Sequence, residues 1–262
     1  MATQAGWTGD RSFSIGAIIG SSFGALASNP LATFGIAFLF SSLPQLLFSA
    51  FIGTSLIMAD RSSTVATVVV SIASYVVFLL LSMLTQGALV RATVAHAEGE
   101  RASLAECLGT GLSSAVPLIG LVLLMIIGLM VGFALFVVPG IILYLMWSVA
   151  VPALVAEEQG VFAAFSRSRA LTKGARWKIF GLQLLLLVLL ILFTMILGIA
   201  GLAGGLTSVA TATSPAPVVL VLSAVSNTLL VAFWSVAQAN LYLSLRAWKD
   251  GPQAGKLAEI FA

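Results

Sequence analysis

The sequence predicts an all-α integral membrane protein: six transmembrane helices, with further amphipathic helices lying in the interface. Three observations carry this. The 262-residue chain is 60% hydrophobic and 8% charged, with a mean hydropathy of +1.13, whereas soluble domains are about 25% charged. Its apolar runs are continuous over roughly 20 residues or more, the length a helix needs to cross a bilayer; barrel strands would alternate apolar and polar over ~10 residues. Charge gathers in a few segments between these runs, and a helix satisfies its own backbone in lipid.

The first run, 31–58, holds Ser41, Ser42 and Pro44 near its middle. It exceeds the ~20 residues a span requires, so a kink or tilt at Pro44 is expected. The second run is 65–90 and the third 117–137. The fourth starts at Pro139-Gly140 and covers 140–156; the fifth is 179–202 and the sixth 218–245. The opening MATQAGWTGDRSF is polar and lacks a signal-peptide pattern, so the first span is expected to serve as its own insertion signal. The single cysteine, Cys107, leaves no internal disulfide framework and reads as a small filler residue.

The segments joining spans one to two, three to four and five to six carry almost no basic residues. Of the twelve Lys and Arg, only Arg61 lies on that side. The other eleven lie in the N-terminal segment, in 91–116, in 157–178 and in the tail from Arg246. The positive-inside bias makes that side cytoplasmic, with both termini inside.

The approaches to the odd-numbered spans resemble one another. Stretches 13–28, 101–114 and 160–174 mix apolar and small polar residues at helical spacing and are too short to cross a membrane. Ile15, Ile18, Ile19 and Phe23 mark one face of the first; Leu104, Leu108 and Leu112 mark one face of the second; Val161, Ala164, Phe165, Ser168 and Leu171 mark one face of the third. Each is expected to lie in the interface, with Val161, Phe165 and Leu171 toward the bilayer. The unit is then an interfacial helix plus two spans, used three times, and the tail AGKLAEIFA is read as the start of a fourth such helix.

Seven of the 21 charged side chains fall within EEQGVFAAFSRSRALTKGARWK, residues 157–178: Glu157, Glu158, Arg167, Arg169, Lys173, Arg176 and Lys178. Two readings follow. Arg167 folds back on Glu157 or Glu158 as a structural clasp fixing the interfacial helix to span four. Alternatively, the bases form a patch for anionic lipid headgroups, each worth roughly 1 kcal/mol near such a surface. Polar residues inside the spans are Gln45, Gln86, Gln183, Asn227, Gln238 and Asn240, none ionisable; their amides are expected to hydrogen-bond between helices. Gly128 and Gly132 suit close helix packing, and Trp147, Trp177, Trp234 and Trp248 suit interface anchors.

Nothing in the sequence assembles a catalytic, cofactor or metal site. His96 is the single histidine, the acids are scattered in loops, and metal sites need several ligands. No phosphate-cradling glycine motif with lysine is present, and no nucleic-acid-binding module is recognisable.

One string is more specific. Pro139-Gly140 is followed by an apolar run with Trp147 and Pro152, then Glu157 and Gly160, then Ala164-x-x-Arg167-Ser168-x-x-Leu171-Thr172-x-Gly174-x-x-Trp177. It resembles the glycerophosphoryl diester phosphodiesterase membrane-domain family, which includes bacterial inner-membrane proteins, and the six-span layout extends the likeness over the chain. The resemblance implies a bacterial inner-membrane location. Some members of that family fuse this part to a catalytic barrel; this sequence has none, so it is read as the membrane part alone. The expected role is therefore non-enzymatic: a scaffold or accessory subunit binding membrane lipids, anionic headgroups on the cytoplasmic side, and a membrane-protein partner or a second copy of itself. Two alternatives are a small transporter or channel for lipid or an uncharged solute, and an enzyme acting on a lipid headgroup through Glu157 or Glu158.

Overall fold

The computed structural model describes residues 14–47, 64–98, 103–209 and 217–251. In chain order these form α1 (Ile15–Ser28), α2 (Pro30–Ala37), a π-helical turn (Phe38–Ser42), α3 (Leu43–Leu47), α4 (Thr64–Ala97), α5 (Leu104–Leu135), α6 (Val137–Trp147), α7 (Ala150–Glu157), α8 (Val161–Thr172), α9 (Arg176–Val209) and α10 (Pro217–Asp250). Six stretches are long and apolar enough to cross a membrane: Pro30–Leu47, Val68–Ala97, Ala105–Leu135, Val137–Glu157, Arg176–Ile199 and Leu220–Asp250. The protein has an all-α, multi-pass membrane fold. Residues 48–58 of the first expected span, and the tail AGKLAEIFA, lie outside the described residues.

Proline places both irregular spans. Pro44 has no N–H for the Phe40 carbonyl, so the preceding turn widens: the Leu43 N–H bonds to the Phe38 carbonyl and the Phe38–Ser42 stretch becomes a π turn. The expected distortion at Pro44 is thus found just upstream of it. Span four divides into α6 and α7 at Ser148 and Val149. Ser148 is four residues before Pro152, where the pyrrolidine ring collides with the carbonyl of a continuing helix. Pro117, in contrast, is held inside α5.

That continuity corrects one expectation. Residues 101–114 do not form a separate interfacial helix before span three: Leu104–Leu135 is one helix, begun by a capping box. The Ser103 hydroxyl accepts from the Glu106 N–H at 3.2 Å, and the Ser103 N–H donates to Glu106 Oε2 at 3.0 Å. Its first turns run along α4 because two glycines meet there. A Cβ on Gly111 would lie 2.8 Å from the Leu84 carbonyl oxygen, and one on Gly87 would lie 3.1 Å from Gly111 Cα. The inward face is Cys107 and Gly111, while Leu112 is exposed, the reverse of the expected leucine face. The unit of short helix plus two spans therefore recurs at α1 and α8, and its middle copy is fused.

The face of α1 is also rotated: Ile18, Ser22, Ala25 and Leu26 are buried and Phe23 is exposed. α8 buries Ala164, Ser168, Leu171 and Thr172. Leu171 is fully enclosed and Phe165 packs on Trp147 at 4.9 Å between ring centroids, so the apolar face of α8 meets the protein and not the bilayer. The exposed aromatic of α8 is instead Phe162, 80% exposed.

α10 is the central element, touching α1, α2, α4, α7, α8 and α9. The main core surrounds its second half, where Ala237, Leu241, Tyr242 and Leu245 meet Ile18, Val149, Ala153, Leu171, Ile179 and Leu182. α5 and α6 form an outer hairpin held by glycines, as expected for Gly128 and Gly132. A Cβ on Gly128 would fall 2.5 Å from the Trp147 ring, and one on Gly132 would fall 2.7 Å from Leu143 Cδ1. The outward side of α9 is a sheath of exposed Leu187, Val188, Ile191, Leu192 and Met195, as suits a helix solvated by hydrocarbon.

Candidate functional site

The charged stretch between α7 and α9 is organised around Glu157, the last residue of α7. Glu158 then takes a left-handed conformation, φ 49°, which turns the chain so that α8 doubles back along α7. The turn carries Arg167, on the second turn of α8, to the Glu157 carboxylate: its Nε donates to Oε1 at 2.8 Å and Oε2 at 3.1 Å. Two more donors complete the shell. The Tyr242 hydroxyl donates to Oε1 at 2.7 Å and the Gln159 amide donates to Oε2 at 2.7 Å. Four contacts occupy the roughly four acceptor positions of a carboxylate.

The other edge of the Arg167 guanidinium reaches α10. Its Nη1 donates to Asp250 Oδ1 at 3.4 Å and its Nη2 pairs with Asp250 Oδ2. Arg167 thus ties the end of α7 to the end of α10 through α8. The hydrogen bond to Asp250, then that to Glu157, raise its affinity for its proton above even the usual arginine range, against the opposing effect of burial. The side chains of Glu157, Arg167 and Asp250 are 13%, 26% and 43% exposed, so the network grades from enclosed to wet.

A neutral bond braces the same helix. Ser168 Oγ donates to the Met146 carbonyl at 2.7 Å. Met146 lies in the last turn of α6, where the break before Pro152 leaves carbonyls without helical partners.

The clasp expected from the sequence therefore exists with Glu157 as the acid; Glu158 is exposed and outside it. Sequence reasoning missed Tyr242 and Asp250. Both lie 75 residues or more beyond Arg167, and the apolar run of the sixth span ends near 245, so only the extra helical turn to Asp250 brings that acid into reach.

The remaining bases stand apart from Arg167. Arg169, Lys173 and Lys178 are exposed and form no ion pair among the described residues. Arg176 is half-buried at the start of α9, its Nε enclosed without a hydrogen-bond partner. Trp177, 85% exposed, stands between Arg176 and Lys178. Trp248, 40% exposed, carries Lys249 over its ring at 4.6 Å and touches the Gly174 turn, where φ is +91°. Trp147 and Trp234 are packed against the core instead, so two of the four expected anchors are exposed.

The intramembrane amides pair largely as expected. Gln183 of α9 and Gln238 of α10 donate to each other at 3.3 and 3.1 Å. Asn227 donates to Ser41 at 2.9 Å and Ser42 at 3.1 Å, and Asn240 donates to Ser22 at 3.3 Å. Gln45 is exposed and Gln86 is half-buried, neither with a hydrogen bond among the described residues. Among those residues no three of His, Cys, Asp or Glu gather as metal ligands would.

Comparison with known protein families, curated proteins and solved structures yields no match.

Proposed function

We propose that this is a non-enzymatic multi-pass protein of the bacterial inner membrane, a scaffold or accessory subunit that seats on anionic lipid through its cytoplasmic rim. On this reading it is related to the membrane domains of the glycerophosphoryl diester phosphodiesterase family. One observation carries the proposal: the division of labour among the bases of 157–178. Arg167 is taken up by Glu157 and Asp250, while Arg169, Lys173 and Lys178 stay exposed in the same segment as the exposed Phe162 and Trp177. Three such bases at an anionic surface contribute about 3 kcal/mol. Exposed aromatics supply the amphipathic contact that a membrane interface favours. Glu157 could serve an enzyme only by giving up its four contacts, and that weighs against the alternative of an enzyme acting on a lipid headgroup.

Native mass spectrometry of the chain in mild detergent tests this. The expected result is a mixture of retained anionic lipids that falls away smoothly with salt, since exposed charges are screened within ~8 Å at physiological ionic strength. Arg169→Lys should behave like the parent. A single lipid species that survives high salt but is lost in Arg169→Lys would replace general seating with specific bidentate recognition. The alternative of a transporter for lipid or an uncharged solute draws on a different feature, the apolar cavity deeper in the bundle.

A further inference from the structure

A cavity of about 830 Å³ lies among α1, α2, α4, α9 and α10. Its walls are mostly hydrocarbon, with Phe34, Leu190, Leu230 and Trp234 among them, and none of its lining residues is ionisable. The size falls within the ~300–1,000 Å³ of small-molecule sites and is far below what another helix would need.

Polar groups break this apolar lining at two levels. Ser235 is 1% exposed, and its Oγ is enclosed without any hydrogen-bond partner. A serine in a helix ordinarily returns its hydroxyl to the carbonyl four residues back, as Ser226 and Thr228 do on this same helix. Ser235 does not, and an unpaired buried hydroxyl is costly. Gln86, on the wall formed by α4, has a complete carboxamide with no partner among the described residues. Asn227 donates both amide hydrogen bonds to Ser41 and Ser42, so its carboxamide oxygen is left to accept. Asn227 and Ser235 are eight residues apart on α10, about 12 Å along the axis. Asp250 is a further 15 residues on, about 22 Å beyond Ser235, so these groups lie well below the charged rim.

We propose that this cavity binds one neutral, elongated lipid bearing hydroxyl or carbonyl groups, of the class of a diacylglycerol or an isoprenoid quinone. The hydrocarbon of the ligand fills the apolar walls, and its oxygens meet Gln86, Asn227 and, once its side chain rotates about χ1 toward the cavity, Ser235. A phospholipid is the wrong occupant. Its charged headgroup would have to sit among uncharged residues ~20 Å from the rim, and burying an unpaired charge costs far more than these amides could return. Its acyl chain ends alone would leave Ser235 unpaired. The site is independent of the basic rim and stands whether or not that rim grips anionic lipid.

The test uses the full chain in phosphatidylcholine nanodiscs with one added lipid: dioleoylglycerol, a long-chain ubiquinone or phosphatidylglycerol. Native mass spectrometry after release should show one molecule of dioleoylglycerol or of the quinone retained per chain, and which of the two is kept identifies the source. Leu190→Trp and Leu230→Trp fill the cavity and should abolish retention. Ser235→Ala and Gln86→Leu each remove one hydrogen-bonding group and should weaken retention about threefold to tenfold. Should the tryptophan variants fail to fold, a brominated dioleoylglycerol quenching the fluorescence of the parent, but no longer that of Trp234→Phe, gives the same answer. Phosphatidylglycerol retained at high salt and lost in Leu190→Trp and Leu230→Trp, which places it in the cavity and not at the rim, or neutral-lipid retention unaffected by Ser235→Ala and Gln86→Leu alike, would overturn the proposal.

Discussion

Arg167 and Asp250 meet across 83 residues of chain, joining the short helix α8 to the last turn of the central helix α10. Glu157 holds the other side of the same guanidinium. The pair closes one end of the bundle, adding a charged tie to the Tyr242–Glu157 and Ser168–Met146 hydrogen bonds there.

Removing Arg167 leaves Glu157, largely enclosed, without a counter-charge. Arg167→Ala should therefore destabilise the protein in detergent by about 2 kcal/mol, between the values for surface and buried pairs. Lys178→Ala removes an exposed base without an ion pair and should cost well under 1 kcal/mol. Thermal unfolding of the two variants side by side is the measurement; equal small losses would mean that the clasp contributes nothing.

Tyr242 is fully buried and gives its hydroxyl to Glu157. Tyr242→Phe deletes that one donor and keeps the packing of the ring, so the expected loss is about 1–2 kcal/mol. In a double-mutant cycle with Glu157→Gln the two losses should be less than additive. Strict additivity would show that the two side chains do not act together.

The glycines separate close approach from open space. Gly132→Leu must force α5 away from Leu143 and Gly140 and should cost about 1–3 kcal/mol. Gly20→Ala meets no atom within 4 Å of the new Cβ and should stabilise α1 by about 0.5–1 kcal/mol. Opposite signs in the two melting shifts are the expected outcome.

Sidedness rests on the placement of Lys and Arg and is open to direct labelling. Cysteines at Ser63 and Thr211, both outside the described residues, should react with an impermeant reagent from outside the inner membrane. Ser103→Cys at the start of α5 should not. With Cys107 replaced by Ala as background, external labelling of Ser103→Cys in intact cells would reverse the orientation.

Much of this was legible in the chain itself, because hydropathy, proline and glycine act locally. Six apolar runs, the disturbance near Pro44, and the Gly128 and Gly132 contact all follow from the residue and its near neighbours. So does the partnership of Arg167 with Glu157, ten residues apart across one turn. The failures share a cause as well. The face a helix buries depends on what it leans against, so Leu104, Leu108 and Leu112 marked the expected apolar face where the Gly87 and Gly111 approach turned Cys107 inward and left Leu112 exposed.

What the sequence by itself determined is the solvent of each segment: a run of apolar residues has a favourable transfer energy to hydrocarbon wherever its neighbours lie, and a charged run does not. Tertiary structure alone decided which charges meet and where space is left. Asp250 and Tyr242 reach the clasp only because α10 continues past its apolar run and is rotated to present both to α8. The unpaired Ser235 borders a cavity only because α1, α2, α4, α9 and α10 fail to close around it. Such relations depend on the rotation and register of helices far apart in the chain, and short-range dispersion and hydrogen bonding settle these only once the helices are packed.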